Sequence, residues 1–360
     1  MVQPQYKPGI DSELREGEAL PSRGLAFALT LVSGGLGHLY LGQTRRAVLW
    51  ACLPIALALT FAAAVVILPW RAAFGVFLPV LLLIITVAWG GALGDVLLVP
   101  RPRFRRVPWW TLPLFWVGNV VFAVLAALGA RTFLVQAFKI PSGAMQPALM
   151  IQDHVFVNMR AFHAPPRRGQ LAVFHAPEHP DVDYVKRVIA VSGDELRVEN
   201  GHPSINGWFV PHCHVGQARL PDSDRDSEPG DVELEFLSDQ AYLVYLDAAR
   251  ATQGAQGPWT VPAGEAFVLG DNRNNSADSR YWYEGRGGGV PFANLVGQPV
   301  FVWMAFNADG SLNGSRYGLA LDEPALGNWA PELQAGLRDC LAKRPSRAQS
   351  EPPPSAARGS

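Results

Sequence analysis

The feature that most constrains the fold is residues 48–70, VLWACLPIALALTFAAAVVILPW, which contain no charged side chain. A helix of this length crosses a hydrocarbon core of about 30 Å. Residues 73–99 and 109–130 form two further long apolar runs. Three such runs close together indicate spanning helices rather than buried core helices. A fourth segment, 24–43, has glycines and a histidine in its middle and leaves three alternatives: a spanning helix, a re-entrant segment, or a helix packed in the bundle through small residues.

Charge is scarce and unevenly distributed. Charged residues make up 17% of the chain, against about 25% in an ordinary soluble domain. Between residues 47 and 100 only Arg71 and Asp95 are charged. This distribution excludes a wholly soluble globular protein and a disordered one. The formal net charge is −1, so no global basic field predicts a nucleic-acid partner.

The arginines predict the orientation of the apolar runs, because arginine-rich loops stay in the cytoplasm. The chain should therefore cross outward at 48–70, inward at 73–99 and outward at 109–130, which leaves everything after Arg131 outside the cytoplasm. If residues 24–43 also span, the N-terminus is outside too; otherwise it is cytoplasmic. The arginines on the cytoplasmic side are Arg45, Arg46, Arg101, Arg103, Arg105 and Arg106.

From about residue 150 the sequence changes to short β-rich runs separated by Gly, Pro, Asn and Asp clusters. No stretch there has sustained helical periodicity. The predicted strands are 154–158, 171–174, 184–191, 195–198, 208–210, 241–245 and 266–269. The predicted organisation is a polar segment at 1–23, a membrane bundle of three or four spans at 24–135, an all-β domain at 136–320, an extension at 321–342 and a disordered tail at 343–360.

Cysteine and histidine carry little signal. The three cysteines, Cys52, Cys213 and Cys340, include no CxxC pair, so no disulfide framework can be argued. His212 and His214 flank Cys213, but neighbouring residues on a strand point to opposite faces. No metal site is therefore predicted.

Three patches carry candidate chemistry: 138–147 (FKIPSGAMQP), 183–194 (DYVKRVIAVSGD) and 269–282 (LGDNRNNSADSRYW). Lys186 lies among alternating apolar residues. If these face inward, its ammonium is desolvated, its pKa falls, and the neutral amine can act as a general base. The alternative is a strand lysine with its head in water. The third patch is either a polar turn or a loop that holds a side chain by many hydrogen bonds.

Together, in this order, the patches resemble bacterial type I signal peptidase, a membrane-anchored serine protease with a Ser/Lys dyad. The resemblance covers residues 131–305 and includes RGQLAVF at 168–174 and a strand at 297–303. It implies a multi-pass α-helical membrane bundle followed by an all-β, two-lobed signal-peptidase-like domain. It also implies an inner-membrane protein with that domain on the extracytoplasmic side. The partners would be signal peptides of exported preproteins and the bilayer, with no cofactor, metal or nucleic acid.

The resemblance also assigns roles. The nucleophile position is Ala144, Ser142 matches the oxyanion-hole serine, Lys186 the general base, and Ser276 the serine that orients the lysine. The residues that shape the site are Gly270, Asp271 and Asn272, with Asp278 and Arg280 as a structural ion pair. The residues that would line the apolar pockets for small substrate side chains are Phe138, Ile140, Met145, Leu149, Tyr184 and Val185.

Ala144 decides the functional question, because a methyl group cannot attack a carbonyl. Three explanations remain open: a natural pseudo-peptidase, an enzyme whose serine has been replaced by alanine, and activity through Ser142 or a water activated by Lys186. A second class is an accessory membrane protein that binds signal peptides or a partner peptidase. For the dyad we expect the Lys186 amine within about 4 Å of the Ala144 methyl and hydrogen-bonded to the Ser276 hydroxyl.

Overall fold

The computed structural model describes residues 21–67, 78–98, 108–133, 135–221, 228–247 and 254–354. It separates into a helical unit, residues 1–62 and 76–129, and a β unit, residues 63–75 and 130–360. Several predictions fall outside the described residues: most of the polar N-terminal segment, Arg71, the arginines of 101–106 and the last six residues of the tail.

The helical unit contains the three predicted apolar runs as long helices. Among the residues described, one segment, Pro79–Leu98, is long and apolar enough to cross a membrane. The predicted multi-pass bundle therefore stays a prediction. The helices are α1 Arg23–Val32, α2 Leu36–Tyr40, α3 Thr44–Ile67, α4 Leu78–Leu98 and α5 Thr111–Phe133.

The segment at 24–43 is not one helix. The short helices α1 and α2 meet at a break, and glycines bring the backbones together. A Cβ at Gly37 would lie 2.1 Å from the Ala26 carbonyl oxygen, and one at Gly35 would lie 2.2 Å from that of Ala47. The structure thus favours a segment packed through small residues.

A polar cluster joins the beginning of α3 to the end of α4. The Asp95 carboxylate lies 3.0 Å from His38 Nε2 and accepts hydrogen bonds from Arg46 (2.5 Å) and Trp50 Nε1 (3.1 Å). His38 is fully buried, and its Nδ1 lies 3.3 Å from the Gly34 carbonyl oxygen. The buried imidazole and the carboxylate thus satisfy each other.

The β unit consists mainly of strands, as predicted for this half, and its described ladders are all antiparallel. It forms three sheets, ordered β1-β2-β14-β3-β4-β12-β13 with β15 paired to β14, then β10-β9-β8, and β11-β5-β6-β7. The strands are β1 Val135–Lys139, β2 Asp153–Asn158, β3 Leu171–His175, β4 Asp183–Val191, β5 Glu195–Glu199, β6 His202–Ile205, β7 Trp208–Phe209, β8 His212–Ala218, β9 Gly230–Leu237, β10 Gln240–Leu246, β11 Gln256–Thr260, β12 Glu265–Leu269, β13 Val290–Pro291, β14 Leu295–Ala305 and β15 Leu319–Ala320.

The C-terminal region differs from the sequence expectation. A helix, α6 Gln334–Ala342, lies where no helical periodicity was found. It buries only Leu337 and Cys340, which is too few apolar positions to produce a sequence signal. A disulfide joins Cys340 to Cys213 of β8, although the sequence alone pairs no cysteines.

Residues 343–354 also differ from the predicted disordered tail. The Ser350 carbonyl oxygen accepts a hydrogen bond from the Ser238 backbone N–H at 2.6 Å, and the Pro353 carbonyl oxygen accepts one from the Asn206 side chain at 2.8 Å. Ser350 is buried. Hydrogen bonds to its backbone carbonyl oxygens therefore hold residues 343–354 in place, although their composition is typical of a disordered tail.

Candidate active site

Backbone hydrogen bonds join the first patch to the third. Ala144 lies in a single turn of 3₁₀-helix, Gly143–Met145. Its carbonyl oxygen accepts a hydrogen bond from the Asn272 N–H at 3.1 Å, and the Asn272 side-chain amide donates to the Gly143 carbonyl oxygen at 3.1 Å. The backbone at position 144 is therefore fixed by contacts that do not involve its side chain.

Gly270 lies between these two segments at a distance only glycine permits. A Cβ at this position would lie 2.2 Å from the Ser276 hydroxyl oxygen and 2.6 Å from the Ala144 carbonyl oxygen. The structure thus brings Ala144, Gly270, Asn272 and Ser276 together, as the resemblance implies.

The second patch enters through β4. Lys186 pairs with Ala172 of β3, and the next residue, Arg187, pairs with Leu269 of β12, the first residue of the third patch. Lys186 is 5% exposed. Burial lowers the pKa of Lys186 to about 8, against the opposing attraction of Asp278 and Asp271. Of the two alternatives for Lys186, the structure favours the desolvated side chain over one with its head in water. With a pKa of about 8, roughly a tenth of it is the neutral amine at pH 7.

Two buried ion pairs hold the loop after β12. Arg280 donates to both oxygens of Asp278 at 2.8 Å, and Asp278 also accepts the Gly270 N–H at 2.9 Å. Burial raises the pKa of Asp278, but its ion pair with Arg280 brings the pKa below its ordinary value. Arg187 donates to Asp271 at 2.8 and 2.6 Å, and burial raises the pKa of Asp271.

The sequence predicts only the pair of Asp278 with Arg280; the pair of Arg187 with Asp271 and a third, of Arg273 with Glu235, were not predicted. Arg273 donates to both Glu235 oxygens at 2.6 and 2.5 Å, and both side chains are almost fully buried. Burial raises the pKa of Glu235, but the charge of Arg273 outweighs it and lowers the pKa to about 2. Arg273 also donates to the Gly201 carbonyl oxygen. Only the presence of Arg273 in the third patch hinted at this pair.

One predicted contact does not form. The Ser276 hydroxyl is buried and has no hydrogen-bond partner among the described residues, so it is not bonded to Lys186. The Lys186 ammonium lies instead 5.5 Å from the centre of the Tyr184 ring, in the field of Asp278 and Asp271. The separation of Lys186 and Ala144 stays a prediction. Ser142 is exposed and makes no side-chain capping bond.

The predicted pocket residues are more buried than open pockets require. Five of the six belong to one apolar cluster, while Tyr184 packs in another with Phe174 and Trp282. Within the first, Ile140, Met145 and Leu149 are 4%, 2% and 0% exposed, so they form its floor. Phe138 and Val185 are half-buried and form the accessible part of the cluster.

Two strand edges in the sheet have no neighbour among the described residues. β1 is an end strand that pairs only with β2. In β4, the stretch 183–186 pairs with β3, but pairing to β12 begins only at Arg187. An extended peptide can add to such an edge through main-chain hydrogen bonds.

The site thus consists of a buried lysine beside a loop held by ion pairs, on an antiparallel β scaffold. The sequence profile of the family described as "Signal peptidase, peptidase S26" matches residues 114–304. Signal peptidase I of Pseudomonas aeruginosa is 35% identical over 214 residues, covering 52% of this chain and 72% of that protein. Signal peptidase I of Leptolyngbya laminosa is 32% identical over 204 residues, covering 54% and 82%.

A solved structure of a signal peptidase I from Enterococcus faecalis also matches, with a TM-score of 0.22 and 24% identity, covering 38% of this chain and 97% of that chain. The sequence matches establish the assignment by themselves. The chain belongs to the signal peptidase family, peptidase S26.

Proposed function

We propose that this chain is a membrane-anchored signal peptidase I that binds the signal peptides of exported preproteins but does not cleave them with alanine at position 144. One observation carries the proposal: a buried lysine with a pKa of about 8 is present, and the backbone at position 144 is held beside the loop after β12. The general base is therefore retained where the nucleophile is missing.

The proposed chemistry assigns one task to each side chain. In the Ala144→Ser variant, the serine hydroxyl would attack the scissile carbonyl, and neutral Lys186 would accept its proton. The Ser142 hydroxyl stabilises the oxyanion, which forms only in the transition state. Ser276 orients the lysine, and its unpartnered hydroxyl is available to do so once Lys186 turns toward it. The carboxylates of Asp271 and Asp278 hold the loop.

The substrate would bind as an extended strand. The free edge of β1 and that of β4 at 183–186 offer main-chain groups to a peptide. Phe138 and Val185, over the buried floor of Met145, Ile140 and Leu149, offer a shallow apolar surface. A shallow surface accepts small side chains before the cleavage point and leaves no room for large ones.

The proposed topology is a multi-pass inner-membrane protein with the β unit on the extracytoplasmic side. The ion pair of Arg46 with Asp95 supports it, since both residues belong to the helix ends assigned to the cytoplasmic side. The disulfide between Cys213 and Cys340 supports an oxidising compartment for the β unit. Protease protection in oriented vesicles tests this topology, and cytoplasmic exposure of residues 150–340 contradicts it.

The decisive experiment restores the missing oxygen. The full chain in detergent is given a preprotein with a small-x-small cleavage site. The Ala144→Ser variant should gain cleavage by several orders of magnitude, since loss of the serine in another hydrolase costs about 10⁶ in turnover. Ala148→Ser, which adds the same hydroxyl to a nearby alanine, is the matched control and should stay inactive.

Other outcomes separate the alternatives. Cleavage by the unmodified chain that disappears with Ser142→Ala would favour a relocated nucleophile. No cleavage even by Ala144→Ser, with signal-peptide binding retained, would favour the accessory-protein function. Loss of both binding and cleavage would contradict the proposal itself.

A further inference from the structure

The sheet that carries β8 and β9 brings together side chains that the proposed reaction does not use. His212 of β8 pairs directly with Glu235 of β9, and Glu233 lies two residues along on the same face. His202 of β6, from another sheet, stacks on His212 with ring centroids 4.0 Å apart and planes 10° apart. One ligand atom each from His202, His212 and Glu233 lie within 4.8 Å of one another.

We propose that His202, His212 and Glu233 form a binding site for a first-row transition-metal dication, with Zn²⁺ as the best fit. Two imidazole nitrogens and one carboxylate oxygen are a donor set that Zn²⁺ takes readily and that Mg²⁺ and Ca²⁺ do not. Three protein ligands leave the fourth position of a tetrahedral site to water.

One carboxylate oxygen of Glu233 is buried without a hydrogen-bond partner in the described part of the chain. The Glu233 carboxylate oxygen nearest His202, at 3.5 Å, is buried and accepts no hydrogen bond. Among the described residues Glu233 has no lysine or arginine partner within ion-pair distance. Buried carboxylate oxygens are ordinarily hydrogen-bonded, so this one is poised to receive a cation.

Metal-bound histidines are usually held by a hydrogen bond on the other ring nitrogen, and His212 has such a partner, while the Nδ1 of His202 is buried without one among the described residues. His212 Nδ1 lies 3.3 Å from the Val210 carbonyl oxygen. A proton on Nδ1 donates to that oxygen and leaves the Nε2 lone pair for a metal. His202 Nδ1 lies 3.6 Å from the Glu235 carboxylate while its Nε2 faces Glu233. The Glu235 carboxylate therefore lies on one side of the His202 ring, and the proposed metal position lies on the other.

Metal binding requires a small local adjustment. Ligand atoms of a tetrahedral zinc site lie about 3.4 Å apart, so atoms that now lie within 4.8 Å of one another must approach by up to about 1.4 Å. The stacked rings must also tilt to point at one ion. His212 is exposed and gives an entry path. The bound ion would join the hairpin of β5 and β6 to the sheet of β8–β10.

The test uses tag-free full chain in detergent, stripped with a chelator and titrated with ZnCl₂ in a calorimeter, with cobalt absorption as a geometric probe. We expect one Zn²⁺ per chain at micromolar affinity or tighter, a tetrahedral cobalt spectrum, a melting temperature that rises with zinc, and no heat from MgCl₂. His202→Ala, His212→Ala and the isosteric Glu233→Gln should each weaken zinc binding by about 100-fold.

His175→Ala is the matched control, because His175 also lies beside a carboxylate, Asp183 at 2.8 Å, but outside the cluster. It should leave zinc affinity unchanged. Each variant's melting temperature in chelator shows whether it folds, and Glu233→Gln keeps the test valid if a histidine variant does not. No zinc binding by the parent chain, or zinc binding that survives all three substitutions, overturns the proposal. Because no readout is cleavage, these results are independent of the proposed peptidase function.

Discussion

The buried charge of Lys186 makes a quantitative prediction about stability. Burial lowers the pKa of Lys186 to about 8 from its ordinary value of 10.5. Burial of the ammonium therefore lowers the free energy of unfolding at neutral pH. At about 1.4 kcal/mol per pH unit, the difference corresponds to about 3 kcal/mol. Lys186→Met keeps the side-chain volume and removes the charge, so it should raise the free energy of unfolding by about that amount at pH 7.

The stability difference between Lys186→Met and the parent should depend on pH in one direction. Below pH 8 both folded and unfolded chains carry the charge, and the whole penalty is present. Between pH 8 and 10.5 the unfolded chain binds more protons than the folded one, so the parent gains stability and the advantage of Lys186→Met fades. Unfolding of parent and variant in detergent, followed by tryptophan fluorescence at pH 7 and 10.5, measures this. Lys343→Met, at an exposed lysine, is the control. An equal advantage at both pH values, or destabilisation at pH 7, would refute the reasoning.

Three further predictions concern the site and its support. Cleavage by Ala144→Ser should rise about tenfold per pH unit and level off above about pH 8, because only neutral Lys186 accepts the proton; a flat kcat/KM profile from pH 6 to 9 argues against this base. Gly270→Ala in the Ala144→Ser background should abolish cleavage, because the added methyl meets the Ser276 hydroxyl oxygen at 2.2 Å; undiminished kcat would contradict it. Cys213→Ser should lower the free energy of unfolding by up to about 5 kcal/mol, since the disulfide closes a loop of 127 residues, and an unchanged melting temperature in detergent would show that the bond does not form.

Local patterns predict much of the β unit, and particular strands show why. The alternating residues around Lys186 predict a strand at 184–191, and β4 covers 183–191. The strand predicted at 266–269 is β12 at 265–269. In contrast, β8, HCHVGQA, was not predicted, because it has few apolar residues and a bulge after His214. A bulge interrupts the two-residue period on which strand prediction depends.

Contacts between distant residues explain what the sequence could not give. The apolar neighbours of Lys186 allowed a desolvated amine, and the family resemblance assigned it the role of base. Glu235 was not identified, because its partner Arg273 lies 38 residues away in the loop after β12. The same holds for Cys213 of β8 with Cys340 of α6 and for His202 of β6 with His212 of β8, whose side chains meet only in the tertiary structure. Pairing across sheets depends on topology, which periodicity does not encode.

The arrangement around position 144 explains why one oxygen separates binding from cleavage. The Asn272 N–H donates a hydrogen bond to the carbonyl oxygen of Ala144, and the Asn272 side-chain amide donates one to that of Gly143. Neither bond uses the side chain of residue 144, so exchanging methyl for hydroxymethyl leaves the backbone in place. The pKa of Lys186 depends on burial and on Asp278 and Asp271. These two carboxylates are held in turn by Arg280 and Arg187. Because position 144 and Lys186 are fixed by separate contacts, an alanine at 144 leaves the lysine buried. Under the proposed function, a hydroxyl at position 144 then has to supply only the reacting atom, and the exchange leaves the proposed peptide-binding edges of β1 and β4 unchanged.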